Sequence, residues 1–140
     1  MPAEKRILVV DDDSASRTLL FTILRRRGFA VDSARNGSEA LEKLGRCRYV
    51  LMLLDLMMPV LSGWEVLQYL SAVEPAERPV VILLTPGGEA RDFDPDVVVG
   101  SVRKPFDLEL LHDTVIGCII ALPAKTQLNG CPPAESQRRE

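Results

Sequence analysis

Cysteine is scarce in this chain: Cys47, Cys118 and Cys131 are its only three in 140 residues. Three scattered thiols are too few for a disulfide framework or a zinc site. No apolar run reaches the ~18 residues of a membrane span. Met1 to Arg6 is polar, which does not open a secretory signal. These absences predict a reduced, cytoplasmic protein with no membrane association. Positive charge is also short. Net charge is −3 and the pI about 5.3, and the single basic cluster, Arg25-Arg26-Arg27, stands before Gly28 like the cationic end of a helix. A nucleic-acid footprint needs a clustered basic face, so direct nucleic-acid binding is not expected. The only histidine, His112, falls on a helical stretch away from the acidic residues discussed below, and no catalytic role is expected for it.

What is present is ordinary globular composition, 46% apolar and 26% charged, with length enough for one domain and its core. Short β-rich runs alternate with helical patterns. The expected strands are 6–10, 30–33, 49–54, 80–84 and roughly 97–102. Three of them, ILVV, VLMLL and VVILL, are continuously apolar, as in parallel strands covered on both faces. Helices are expected at 14–27, 36–44, 62–71 and 107–122. The first presents Leu19, Leu20, Ile23 and Leu24, and the last Leu108, Leu111, Val115, Cys118 and Ile119, to the core. The fold class is α/β, a doubly wound five-stranded parallel sheet. From Pro123 the pattern stops. PAKTQLNGCPPAESQRRE has three prolines and few apolar residues, so the domain is placed at 1–122 and a disordered tail at 123–140.

Polar residues gather where the strands end. Asp11-Asp12-Asp13 follow the first strand, Asp55 ends the third, Thr85 ends the fourth, and Lys104-Pro105 follow the fifth. In a parallel sheet these ends share one edge, the usual ligand-binding edge. Asp55, at the end of LMLLD, is therefore expected at the rim rather than in the core. Clustered carboxylates either hold a proton or bind a cation, and an all-oxygen set suits Mg²⁺. With a lysine and a hydroxyl beside them, the chemistry indicated is phosphoryl transfer to a carboxylate.

The motifs ILVVDDD (7–13), LLDLMMPVLSG (53–63), LLT (83–85) and KPF (104–106), in this order and spacing, resemble the receiver domain of two-component response regulators, in a stand-alone form. The resemblance covers about residues 4–122. It implies a flavodoxin-like fold with strand order 2-1-3-4-5. Asp55 would be the phospho-acceptor, served by a sensor histidine kinase or a phosphotransfer protein. Mg²⁺ would be held by Asp12 directly, Asp11 largely through water, Asp55, and the backbone carbonyl of Met57. Lys104 would pair with Asp55 and then with the phosphoryl group, and Thr85 would swing to hydrogen-bond it. The Lys104–Pro105 peptide would be cis, and Pro59 and Gly63 would shape the loop after the acceptor. The domain would catalyse only its own phosphotransfer and dephosphorylation, acting through an output protein.

Departures lie on the output side. Ser101 stands where the family usually carries Tyr or Phe. Pro86 follows Thr85 where Ala or Gly is usual. The segment PGGEARDFDPDVVVGS contains two prolines and three glycines, which predicts a shortened or irregular fourth helix. Ile116 and Ile120 lie beside the core stripe of the last helix and, with strand five, offer a homodimer surface. Trp64 is expected as a partly buried cover on the third helix. Two other readings share the pattern: a receiver-like interaction module independent of phosphorylation, and a haloacid-dehalogenase-type phosphatase using Asp11 of an Asp-x-Asp pair. The latter wants Thr or Val where Ala15 stands.

Overall fold

The three apolar runs form the centre of a five-stranded parallel sheet in the computed structural model, which describes residues 3–58, 61–87, 93–105 and 107–138. In chain order the elements are β1 (Ala3–Glu4), β2 (Arg6–Val10), α1 (Ser14–Arg26), β3 (Ala30–Ala34), α2 (Gly37–Arg46), β4 (Leu51–Asp55), α3 (Gly63–Ser71), β5 (Val80–Thr85), β6 (Val98–Arg103), α4 (Leu108–Ala121) and β7 (Lys125–Thr126). Single 3₁₀ turns fall at Pro75–Glu77 and Glu135–Gln137. The large sheet has the order β3-β2-β4-β5-β6, which is 2-1-3-4-5 when its own strands are counted. All four of its pairings are parallel.

Every residue of β2 and β4 is buried, because both faces of the sheet are covered. Strand alternation sorts the core into two layers. Leu8, Val10, Met52, Leu54, Val81 and Leu83 face α2 and α3, packing on Ala40, Val66, Leu67 and Leu70. Ile7, Val9, Leu51, Leu53, Ile82 and Leu84 face α1 and α4, packing on Leu20, Leu24, Leu111, Val115 and Ile119. Two residues expected in the core stripes are instead exposed: Leu19 at 40% and Leu108 at 49%. Leu19 lies in the second turn of α1, and Leu108 is the first residue of α4.

The helix ends follow local chemistry. Asp13 caps α1 by accepting the Ser16 N–H at 3.0 Å, Asn36 caps α2 through Glu39, and Asp107 caps α4 through Glu109 and Leu110. Gly28, at φ +86°, ends α1 in the left-handed region.

Between β5 and β6 no helix is found among the described residues. A turn at 95–97 carries Val97 (1% exposed) and Phe93 onto the α3 side of the core, and Phe93 stacks on Trp64 at 5.4 Å between centroids. Trp64 is thus the partly buried cover expected of it. Residues 88–92, Pro59 and Phe106 lie outside the described residues.

Gly63 starts α3 against the end of β4. A Cβ there would meet the Asp55 carbonyl oxygen and the Leu56 Cα, each at 2.6 Å. Gly63→Ala is expected to cost about 1–3 kcal/mol through this overlap, seen as a lower urea midpoint with an unchanged slope.

The tail expectation is corrected. Residues 123–138 are placed on the sheet's amino end and on edge strand β3. Strand β7 pairs antiparallel with β1, and Gln127 bonds both backbone groups of Arg48. Ser136 Oγ accepts the Val31 N–H at 2.8 Å, and Glu135 accepts the Ser33 N–H at 3.1 Å. The cysteine reading is corrected too: Cys47 and Cys131 form a disulfide, which leaves Cys118 free. Composition failed here because the tail is held by polar bonds to distant residues rather than by an apolar stripe.

Candidate functional site

Four strands deliver polar groups to one edge of the sheet. Strand β2 runs into Asp11 and Asp12, β4 ends in Asp55, β5 ends in Thr85, and Lys104 follows β6. One oxygen from each of Asp11, Asp12 and Asp55 lies within 4.8 Å of the others. Lys104 Nζ donates to Asp55 Oδ2 at 3.4 Å and also stands 2.9 Å from Asp11 Oδ2, so it pairs with both carboxylates and lies closer to Asp11. The Lys104 N–H donates to the Thr85 carbonyl at 2.8 Å, and the Lys104–Pro105 peptide is cis, as the resemblance implied.

Asp55 occupies the carboxyl end of its strand beside Asp11 and Asp12, and its part of the rim is closed off from solvent. Asp55 is 3% exposed and Asp11 is fully buried, while Asp12 is open to solvent. The chain beyond β4 folds back over the carboxylate: the Met57 N–H donates to Asp55 Oδ1 at 3.0 Å, and Gly63 packs on the strand end. Burial is the largest cause pushing the Asp55 carboxyl up to about 6. The hydrogen bond with Asp12 and the charge of Asp11 add to this, against the Met57 N–H and Lys104. Burial alone would lower the Lys104 ammonium, but contact with Asp11, its charge and then Asp55 outweigh this and raise it.

The donor set fits a hard divalent cation. It is all oxygen, and it is crowded with negative charge. Asp11 Oδ2 is buried and meets the Lys104 ammonium as an ion pair without hydrogen-bond alignment, so it retains a lone pair for a ligand. Met57, whose carbonyl the resemblance adds to this set, is 64% exposed beside it.

Thr85 is buried, and its Oγ1 accepts the Gly87 N–H at 2.9 Å. Gly87 has φ +99°, and a Cβ there would meet Arg103 Nε at 2.8 Å. Arg103 in turn donates to the exposed Pro86 carbonyl at 3.2 Å, which ties β6 to the turn after Thr85. Ser101 is exposed on β6. Asp13 is engaged as the α1 cap, not held with Asp11 as an acid–base pair. One contributor escaped the sequence reading. Arg17, on the first turn of α1, donates to the Asp11 carbonyl at 2.9 Å and fixes the acidic turn. Its place one helical turn beyond Asp13 was the only signal. His112 lies half-buried on α4 beside Asp113, with no contact to the acids.

Comparison with known proteins agrees with this geometry. The family model of the response regulator receiver domain matches residues 7–116. Sporulation initiation phosphotransferase F of Bacillus subtilis is 32% identical over 114 residues, covering 79% of this chain and 90% of that protein. The CpxR homolog of Haemophilus influenzae, a transcriptional regulatory protein, is 42% identical over 110 residues, 76% of this chain but 47% of that protein. Among solved structures, the response regulator TrrA of Thermotoga maritima with Mg²⁺-BeF superposes with a TM-score of 0.71 at 36% identity, covering 81% of this chain and 98% of that one. TrrA has also been solved in complex with the histidine kinase ThkA. The chain belongs to the response regulator receiver domain family of two-component signal transduction. It spans about a third to a half of the length of the transcriptional regulators it matches. No helix among the described residues is long and apolar enough to cross a membrane.

Proposed function

We propose that Asp55 is the phosphoryl acceptor of this receiver, supplied by a sensor histidine kinase or a phosphotransfer protein. A carboxylate oxygen of Asp55 attacks phosphorus, the O–P bond forms as the N–P bond of phosphohistidine breaks, and the imidazole leaves with its electron pair. The observation that carries this reading is the placement of Lys104 Nζ between Asp11 and Asp55, at 2.9 and 3.4 Å, inside a three-carboxylate cluster. That ammonium is positioned to follow charge from the free carboxylate to a phosphoryl oxygen. Asp11, Asp12, Asp55 and the Met57 carbonyl would hold Mg²⁺, which supplies charge neutralisation to the transferring group. Thr85 would donate its hydroxyl to another phosphoryl oxygen and draw the turn at 86–87 with it. An open hollow of about 540 Å³ beside Lys104, lined also by Ala15, Ser16, Leu19 and Pro105, would receive part of the partner's surface, and exposed Leu19 supplies an apolar rim.

In this reading the protein is a signalling phospho-acceptor in the cytoplasm, not a metabolic enzyme. It touches neither nucleic acid nor membrane through this domain. Its output is a protein, and a second copy would dock on β6 and α4, where Val99 and Ile120 are exposed. Light scattering with and without a phosphoryl mimic is expected to show self-association; a monomer in both states removes the dimer.

Incubation with a small acyl phosphate and Mg²⁺, followed by mass spectrometry, should place one phosphoryl group on Asp55. Modification of Asp11 would favour the phosphatase reading, and no modification at all would favour a phosphorylation-independent module. Once Asp55 is charged, Pro86→Ala should hydrolyse roughly several-fold faster, because the ring beside Thr85 restricts water at the site. Equal rates in the two proteins would remove that role for Pro86.

A further inference from the structure

The C-terminal segment is tied to the domain by one covalent bond, and the surroundings of that bond are unusual for an inert staple. Arg6 Nη1 donates to Cys131 Sγ at 3.0 Å. The guanidinium is held in place by Asp32 Oδ2, at 2.6 Å from Nη2 and 2.9 Å from Nε, and by the Pro132 carbonyl at 2.8 Å. A fixed cation against sulfur is the feature that lowers a thiol's pKa and makes it a good leaving group in exchange. Beside the same cluster, a cavity of about 170 Å³ is lined by Cys47; its cations Arg6, Lys43, Arg46 and Arg138 outnumber its acids Asp32 and Glu135, a net basic approach for an attacking thiolate. Cys118 packs with the opposite layer of the core, so it offers no alternative thiol partner.

What the bond holds is equally specific. Edge strand β3 has outward amides at Val31 and Ser33, and they are satisfied not by another strand but by Ser136 Oγ and Glu135 Oε1. Glu135 also pairs with Lys43, and its N–H donates to Asp32 Oδ1 at 2.8 Å. Within 125–138 only Gln127 and Ala134 are buried, so the strap's contacts are mostly polar bonds that water can replace.

We propose that Cys47–Cys131 is a thiol–disulfide exchange site for a dithiol reductant, and that it latches residues 125–138 over the edge of β3. The reductant's thiolate attacks the Cys47 sulfur. A mixed disulfide forms, the Cys47–Cys131 bond breaks, and Cys131 leaves as a thiolate against Arg6. The second thiol of the reductant then displaces Cys47. The protein disulfide gains two electrons and two protons, and the dithiol is oxidised to its disulfide. Opening the latch frees the β3 amides, an edge able to accept another extended segment. This proposal does not depend on phosphorylation of Asp55.

The test uses the full chain, oxidised, with dithiothreitol near neutral pH and no denaturant. Alkylation and mass spectrometry should find Cys47 and Cys131 reduced while the circular dichroism stays native. Hydrogen exchange should rise about ten-fold or more in residues 30–34 and 125–138, and change less than about two-fold in β4 and β5. In the reduced protein, the pH midpoint for alkylating Cys131 should lie at least about one unit below the ordinary thiol value of about 8.5. Cys131→Ser without reductant should reproduce the open exchange pattern. Resistance to reduction until the domain unfolds would overturn the proposal. So would exchange that rises uniformly across the sheet, or an ordinary Cys131 midpoint. If Cys131→Ser does not fold, reduction of the wild type decides the matter alone.

Discussion

Asp55→Asn should melt higher than the wild type near pH 8 in the absence of divalent metal, and the two proteins should converge near pH 4. The sign follows from the raised carboxyl. Asp55 is pushed from its ordinary 3.8 to about 6, first by burial and then by Asp12 and Asp11. The folded state therefore holds a proton that the unfolded chain has already released, and native stability falls as pH rises between about 4 and 6. Above that window the full cost of an ionised, crowded Asp55 is present, and below it none is. An amide removes the charge and recovers about 1–3 kcal/mol, the order of a two-unit shift at about 1.4 kcal/mol per unit. Mg²⁺ should act on the wild type in the same direction, adding about 2.7 kcal/mol at a hundredfold excess over its dissociation constant, and much less on the variant. Calorimetry at two pH values, with and without Mg²⁺, reads all four terms. A wild type that gains stability from pH 4 to 6 relative to Asp55→Asn would contradict the electrostatics of the site. The same variant should also lose phosphoryl incorporation completely, because an amide oxygen is no nucleophile toward phosphorus.

Asp32→Ala should be among the most damaging single changes in the chain, although Asp32 lies mid-strand on edge strand β3, outside the acid cluster. It is 3% exposed, and it accepts from Arg6 twice, from the Tyr49 hydroxyl at 2.6 Å and from the Glu135 N–H at 2.8 Å. Arg6 is 2% exposed and lies 5.7 Å over the Tyr49 ring. Removing the carboxylate leaves a buried guanidinium with carbonyl, Glu4 and sulfur contacts alone. Breaking a buried pair from one side costs about 3–5 kcal/mol. Tyr49 carries the second part of the loss. Burial, followed by the charge and hydrogen bond of Asp32, pushes its hydroxyl far above the usual range, so it remains a neutral donor with no acceptor once Asp32 is gone. Urea unfolding of Asp32→Ala should show a midpoint fall of this size, and Arg6→Ala a similar one. The double replacement should cost less than the sum, because neither charge is then stranded. Additive losses would mean that the two residues do not act as a pair.

The two ends of the sheet differ in how openly the sequence declares them. The acidic end is written in short spacings: an acid run directly after a buried strand, one aspartate closing LMLLD, a threonine closing VVILLT, a lysine just past β6. Parallel strands of similar length bring such terminal residues together without further information, and the cluster at 4.8 Å is the result. The absence of a helix among the described residues of the β5–β6 segment was legible for the same local reason, since Pro and Gly oppose helix wherever they stand. What spacing could not supply was depth. Asp55 is buried at 3% exposed, Gly63 begins α3 against its backbone carbonyl, and Lys104 stands closer to Asp11 than to Asp55.

The amino end was illegible. Arg6 and Asp32 drew no notice inside the expected strands 6–10 and 30–33, and residues 123–140 read as a disordered tail. Local pattern determined the five strands of the large sheet, the four α-helices, the caps and the acidic edge, because each depends on neighbours within about one turn or one strand. Tertiary structure alone decided the strap, its disulfide and the Arg6–Asp32–Tyr49 network. Their partners lie up to 126 residues apart, as for Arg6 and Pro132, and a polar contact between distant residues leaves no periodicity in the chain that makes it.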